Sequence, residues 1–159
     1  MKTEARMERE KAKELLGLID STIASSSKGS EVRQKVVKLL NTFPTYNWVG
    51  IYLVKGNNLH LDAWSGPAPT VHIDIPIGKG ICGWAAKSGR TEIVSDVSKD
   101  SRYLQCFMNT KAEIVAPILR EGKVVGEIDI DGDRLNAFSS MDREFLEAVA
   151  AKISASCLS

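Results

Sequence analysis

The run Val124-Val125-Gly126-Glu127-Ile128-Asp129-Ile130-Asp131 alternates aliphatic and acidic side chains with the period of a β-strand. Such a strand sends Ile128 and Ile130 to one face and Glu127, Asp129 and Asp131 to the other. Next-but-one neighbours on a strand stand roughly 7 Å apart, so three like charges repel unless they are solvated, protonated or matched by a cation. One reading is the wet outer face of an antiparallel sheet. The other is a site for a cationic or amphoteric ligand, and the aromatics favour it. Trp48 and Tyr52 share one face of an earlier strand, while Val49, Ile51 and Leu53 take the opposite one. In such a pocket rings exclude water, and carboxylates fix an ammonium or hand a proton to an oxygen. Glu113 opens a further strand. Buried beside other acids, its carboxyl titrates high and serves as a general acid near neutral pH.

Sulfur is the second source of chemistry. Cys106 lies in the segment Asp100-Ser101-Arg102-Tyr103-Leu104-Gln105-Cys106-Phe107, shortly before Glu113, where a thiol can face the same cavity. The competing reading for Cys106, and equally for Cys82 between Gly80 and Gly83, is a small buried hydrophobe. Cys157, almost at the end of the chain, receives no role. Three widely and unequally spaced cysteines suit neither a disulfide framework nor a paired-cysteine zinc site. The glycines of Gly78-Lys79-Gly80-Ile81-Cys82-Gly83 lack the Lys-Ser/Thr ending of a phosphate loop and the acidic partner of a dinucleotide fold. They read as a tight strand-to-helix turn. His60 and His72 sit in predicted strands without partner motifs, which argues against a metal role, and Trp64 and Trp84 read as core or pocket wall.

These groups need a scaffold. Apolar Met7, Ala12, Leu15, Leu16, Ile19 and Ile23 recur at helical spacing and predict an amphipathic helix over about 4–24, a stripe that serves either a homodimer or packing against its own sheet. After a Ser-rich break at 25–29, Val32, Val36, Val37, Leu39 and Leu40 mark a second helix ending before Pro44. Six strands are predicted at 48–54, 59–64, 71–75, 92–94, 112–119 and 124–130. Short Gly-bearing breaks at 55–58 and 120–123 close antiparallel hairpins. A short helix covers 80–87, residues 100–110 form a loop or helical turn, and a capping signal at Ser139 opens a last helix carrying Phe145, Leu146, Val149 and Ile153. The result is an α+β fold, a mostly antiparallel sheet of about six strands with N- and C-terminal helices on one face and a loop-covered pocket on the other.

Composition agrees with one globular domain over 1–159, made of helices over 1–43 and a core over 47–153. Hydrophobic residues make up 43% and charged residues 26%. With 21 Lys plus Arg against 20 Asp plus Glu, no large positive field exists to hold a phosphate backbone, which argues against nucleic acid as a partner. No apolar run reaches signal-peptide length or the roughly 18 residues of a membrane span, so a cytoplasmic location without membrane association is expected.

The segments NWVGIYL, IPIGKGICGWAA, KAEIVAPI and GEIDID, followed by AFSSMDREFLE, resemble a GAF domain, and in particular its free methionine-(R)-sulfoxide reductase branch. The resemblance runs from about Asn47 to Ile153. It implies that Cys106, seven residues before Glu113, is the nucleophile and that Cys82, in the GICG turn, resolves the oxidised intermediate. It also implies that Trp48, Tyr52, Glu113, Asp129 and Asp131 form the substrate pocket. The expected chemistry is attack of the Cys106 thiolate on the sulfoxide sulfur while Glu113 or an Asp protonates the oxygen. A disulfide with Cys82 would follow, with recovery by an external dithiol such as thioredoxin and with no metal or bound cofactor. The alternative is a non-catalytic GAF module that senses a small molecule or redox state and signals through dimer contacts, since one fold hosts many ligands.

Overall fold

Six strands form one fully antiparallel sheet in a computed structural model that describes residues 5–105 and 107–158. Cys106 is outside the described residues, as are 1–4 and 159. Two helices lead in, α1 (Arg9–Ser25) and α2 (Gly29–Asn41), before β1 (Trp48–Lys55), β2 (Asn58–Ser65) and β3 (Asp74–Pro76). Then come α3 (Gly80–Ser88), β4 (Glu92–Val94), a 3-10 turn at Val97–Lys99, β5 (Ala112–Arg120), β6 (Lys123–Gly132) and α4 (Ser140–Ile153). The spatial order β3-β2-β1-β6-β5-β4 puts the long strands β2, β1, β6 and β5 inside and the three-residue strands β3 and β4 at the edges. Lys55 pairs with Asn58 and Arg120 with Lys123, so both expected hairpins close with two central residues. In the second, Glu121 (φ 52°) and Gly122 (φ 78°) both take positive φ, the backbone twist that matches flanking antiparallel strands.

Alternation along the central strands divides the protein into two layers. Val49 and Ile51 of β1, Ile114, Ala116 and Ile118 of β5, and Ile128 and Ile130 of β6 are fully buried in one apolar cluster with the helices. Helix α2 packs on β1 and β2, and α4 on β5. Helix α1 buries Ala12, Leu15 and Ile19 mainly against α2 and α4, so its apolar stripe is used by neighbouring helices rather than by the sheet itself. The first helix starts at Arg9, later than the periodicity alone suggests. The strand expected over 71–75 is reduced to Asp74–Pro76, because β3 keeps its ladder with β2 only from Asn58 to His60. Beyond it Val71 is 80% exposed, and His72 lies in an irregular segment instead of a strand. Among the described residues no helix is long and apolar enough to cross a membrane.

The capping signal at Ser139 is a complete capping box. Ser139 Oγ accepts from the Met141 amide, and the Ser139 amide donates to Asp142 Oδ2 at 2.8 Å. The other oxygen of this buried carboxylate, Oδ1, accepts from the buried Tyr46 hydroxyl at 2.6 Å, which ties the start of α4 to the segment leading into β1. Asp142→Ala removes a cap and leaves a buried hydroxyl unpaired, so it should lower unfolding stability by about 2–4 kcal/mol in urea titration, with Asp142→Asn losing less.

Candidate functional site

The second face of the sheet carries the acids. Cross-strand register sets Trp48 opposite Asp131, Gly50 opposite Asp129 and Tyr52 opposite Glu127, while Glu113 of β5 faces Asp131. Direct partners share a face, so four carboxyls and two large rings gather on one side. This face is dry: Glu113 is 5% exposed, Glu127 0%, Asp129 3% and Asp131 2%. The solvated-outer-face reading therefore fails. Helix α3 roofs the sheet, with Ile81, Cys82, Ala85 and Ala86 buried against Trp48, Tyr52, Leu59 and Val115. The turn before it closes with the Gly78 amide donating to the Gly83 carbonyl at 2.8 Å.

Beneath this roof a narrow hollow of about 10 Å³, room for little more than a water, is bounded by Tyr52, His72, Cys82, Leu104, Glu113 and Asp129, among others. The Cys82 sulfur, a Glu113 oxygen and an Asp129 oxygen lie within 4.8 Å of one another. Tyr52 donates its hydroxyl to the His72 carbonyl at 2.8 Å, fixing the outer wall. Trp48 and Asp131 stand one step along the sheet. The Trp48 ring stacks beside Trp64 with centroids 6.4 Å apart, approaches Phe107 at 5.8 Å, and donates its indole N–H to the Ala68 carbonyl at 3.1 Å. Gly50 permits this placement, since a Cβ there would meet the Trp48 ring at 2.4 Å.

Burial governs the charges. It pushes the Glu113 carboxyl well above the usual carboxylate range, reinforced by Asp129 and Asp131. Glu127 is raised well up by burial and then by Asp129, and Asp131 behaves likewise. Asp129 is also raised by burial, against the opposing pull of Glu113, Cys82 and His72. The Cys82 thiol is pushed well up by burial and then by Asp129, Glu127 and Glu113, which keeps it protonated. Among the described residues, Oδ1 of Asp129 and Oδ1 of Asp131 have no hydrogen-bond partner, and Glu127 has none beyond the neighbouring Cys82 thiol. The cluster thus stores protons and offers unfilled acceptors.

Of the sequence candidates, Tyr52, Cys82, Glu113 and Asp129 meet at the hollow, with Asp131 beside Glu113 and Trp48 next to it. Cys106 lies outside the described residues. Its chain neighbours flank the site: Leu104 lines the hollow, the Gln105 carbonyl accepts from His72 Nε2 at 3.1 Å, and Phe107 contacts Trp48. The preceding turn is fastened by Arg102, which donates to both oxygens of Asp100 at 3.0 and 2.7 Å and to Glu92 at 3.3 Å. Trp84 is 42% exposed with Arg102 and Lys87 over its ring, so it is neither core nor pocket wall. Three participants escaped the sequence reading. Alternation put Glu127 on the right face but not in the site, whereas His72 and Gly50 carry no local signal for their roles.

These carboxyls keep their protons to higher pH when folded than in the unfolded chain, where they titrate near pH 4. The folded state then binds more protons above that pH, so stability falls as pH rises from about 4 toward the raised folded values. Denaturant titration should show the protein more stable at pH 5 than at pH 8 by at least about 1 kcal/mol, and Glu127→Gln should shrink the difference.

A GAF domain family model matches residues 30–157. Free methionine-R-sulfoxide reductase of Saccharomyces cerevisiae is 40% identical over 70% of this chain and 63% of its own length. GAF domain-containing protein A of Dictyostelium discoideum is 38% identical over 64% of each. The chain therefore spans a little under two thirds of these two curated relatives. Among solved structures, the reduced form of fRMsr of Staphylococcus aureus superposes with a TM-score of 0.86 at 34% identity, covering 99% of both chains. Free methionine-R-sulfoxide reductase from Neisseria meningitidis, in complex with its substrate, gives a TM-score of 0.87 at 28% identity over 99% of this chain and 96% of its own. With the α+β architecture, the sheet order and the roofed acidic face all in place, the chain belongs to the GAF domain family.

Proposed function

We propose that the chain is an oxidoreductase that reduces free methionine-(R)-sulfoxide to methionine, with Cys106 as the attacking thiol. The observation that carries this reading is the convergence of the Cys82 sulfur with Glu113 and Asp129 oxygens inside 4.8 Å, in a hollow lined by Leu104, with Gln105 hydrogen-bonded to the lining His72 and Phe107 against the adjacent Trp48 ring. The similarity to reductases, one of them solved with its substrate, supports it independently.

In the first step the Cys106 sulfur attacks the sulfoxide sulfur while Glu113, held protonated by burial and by its acidic neighbours, gives a proton to the sulfoxide oxygen. The oxygen passes to cysteine as sulfenic acid. The methionine sulfur departs with its electron pair, so sulfur of the substrate is reduced by two electrons and that of Cys106 oxidised by two. The Cys82 thiol then attacks the sulfenic sulfur. A disulfide forms, and the sulfenic oxygen leaves as water with the thiol proton. A dithiol of the thioredoxin type restores both cysteines by exchange.

Asp129 and Asp131 would receive the substrate ammonium. Their unfilled oxygens become ionised acceptors once a cation offsets their mutual repulsion. A free amino acid carries that ammonium and a residue within a peptide does not, which favours the free substrate. Trp48 and Tyr52 would enclose the methyl-sulfur end. Keeping Cys82 as a thiol protects it until the sulfenic acid appears, because the thiolate is the form that reacts with outside oxidants.

The direct test supplies each sulfoxide epimer with a dithiol and measures methionine. The R epimer should be turned over, and Cys106→Ser should lower the rate at least about a hundredfold. Cys82→Ser should release one methionine per chain and then stall or slow. Methionine production no higher than in the Cys106→Ser chain would defeat the proposal.

A further inference from the structure

The hollow presents a donor set that the reductase chemistry does not use as a set: one sulfur and two carboxylate oxygens, all buried, within 4.8 Å of one another. Behind them, Glu127 is fully buried, and among the described residues its carboxyl has no polar neighbour acting on it as a hydrogen-bond partner beyond the Cys82 thiol. Asp129 Oδ1 has no hydrogen-bond partner among the described residues. Buried polar atoms left unsatisfied call for a specific explanation, and an ion is one. Among the described residues no Lys or Arg lines the hollow to supply the missing positive charge.

We infer that Cys82, Glu113 and Asp129 form a binding site for a thiophilic divalent cation of the zinc class, available when the cysteines are reduced. Ligand atoms around one tetrahedral zinc stand about 3.5 Å apart, so the three donors need to close by about 1 Å, within the reach of the Glu113 and Cys82 side-chain torsions. Three protein ligands leave a fourth position open toward the hollow for water. The sulfur selects against calcium and magnesium, which take oxygen ligands in larger number. Glu127 beside Cys82, and His72, near enough to Asp129 to act on its charge, would form the outer shell around such ligands. On binding, the Cys82 S–H bond gives way to a sulfur–metal bond, and the thiol and carboxyl protons pass to solvent. No electrons move. Because these atoms lie where the sulfoxide would sit, the cation and the substrate exclude each other. That consequence for turnover rests on the reductase reading, whereas the binding itself does not.

The test uses the full chain, reduced and stripped of metal, with Zn²⁺ as probe in competition with a chromogenic chelator. A Cys106→Ser/Cys157→Ser chain should hold one zinc per chain. Adding Cys82→Ser or Asp129→Asn should weaken binding at least about tenfold, with circular dichroism confirming the fold. In the unsubstituted chain, which avoids any folding defect, zinc should slow alkylation of Cys82 as read by peptide mass. Absence of competed zinc, zinc binding unchanged by Cys82→Ser, or unprotected Cys82 would each overturn the inference. Sulfoxide turnover measured with a strong chelator present separates the two readings. Turnover without zinc binding removes the metal site alone, and zinc binding without turnover removes the reductase alone.

Discussion

Four carboxyls and a thiol closed off from water on one side of a sheet are the constraint from which the rest of this protein follows. Isolated charges there would be prohibitively costly, so the groups share protons, keep Cys82 as a thiol and leave several oxygens without partners. A folded chain accepts such an arrangement only if other parts of it are stable enough to hold the acids in place. The compensation lies directly behind them. The acids on β6 alternate with Ile128 and Ile130, both fully buried in the cluster with the helices, so the strand that presents the unfavourable face also anchors in the apolar core.

The aromatic side follows the same logic. Trp48 spreads across Gly50 and meets Trp64 and Phe107, while Tyr52 reaches the His72 carbonyl. These contacts wall the acids from solvent through backbone carbonyls and ring faces. The cluster's acceptors therefore stay available for a cationic or proton-demanding guest, which is what makes the face chemically useful and not merely strained.

Much of this was legible in the sequence because the central strands alternate so strictly. The β6 run announced two faces, the hairpin breaks fixed the pairing of β1 with β2 and β5 with β6, and the capping residues at Ser139 marked α4. Legibility failed where the chain leaves periodic structure. The edge near His72 was read as strand, since Val71, Ile73 and Ile75 alternate, yet only three residues of β3 hold the ladder. Glu127 was placed on the right face, but its burial depends on α3, which no local pattern reveals. Gly50 matters because of a ring two residues away folded back over the strand, a tertiary fact. Trp84 reads from sequence as core or pocket wall, whereas it lies at the surface with two cationic side chains over its ring.

The roof over the acids is drawn from segments far apart along the chain: the Ala68–His72 stretch, α3, and the turn held by Arg102 and ending at Phe107. Each touches strands that are themselves paired across long sequence intervals, β1 with β6 above all. Non-local pairings of this kind are slow to assemble. The hollow is therefore complete only when β6 is seated between β1 and β5, and until then Glu113 and Cys82 lack the three acids that β6 brings to them.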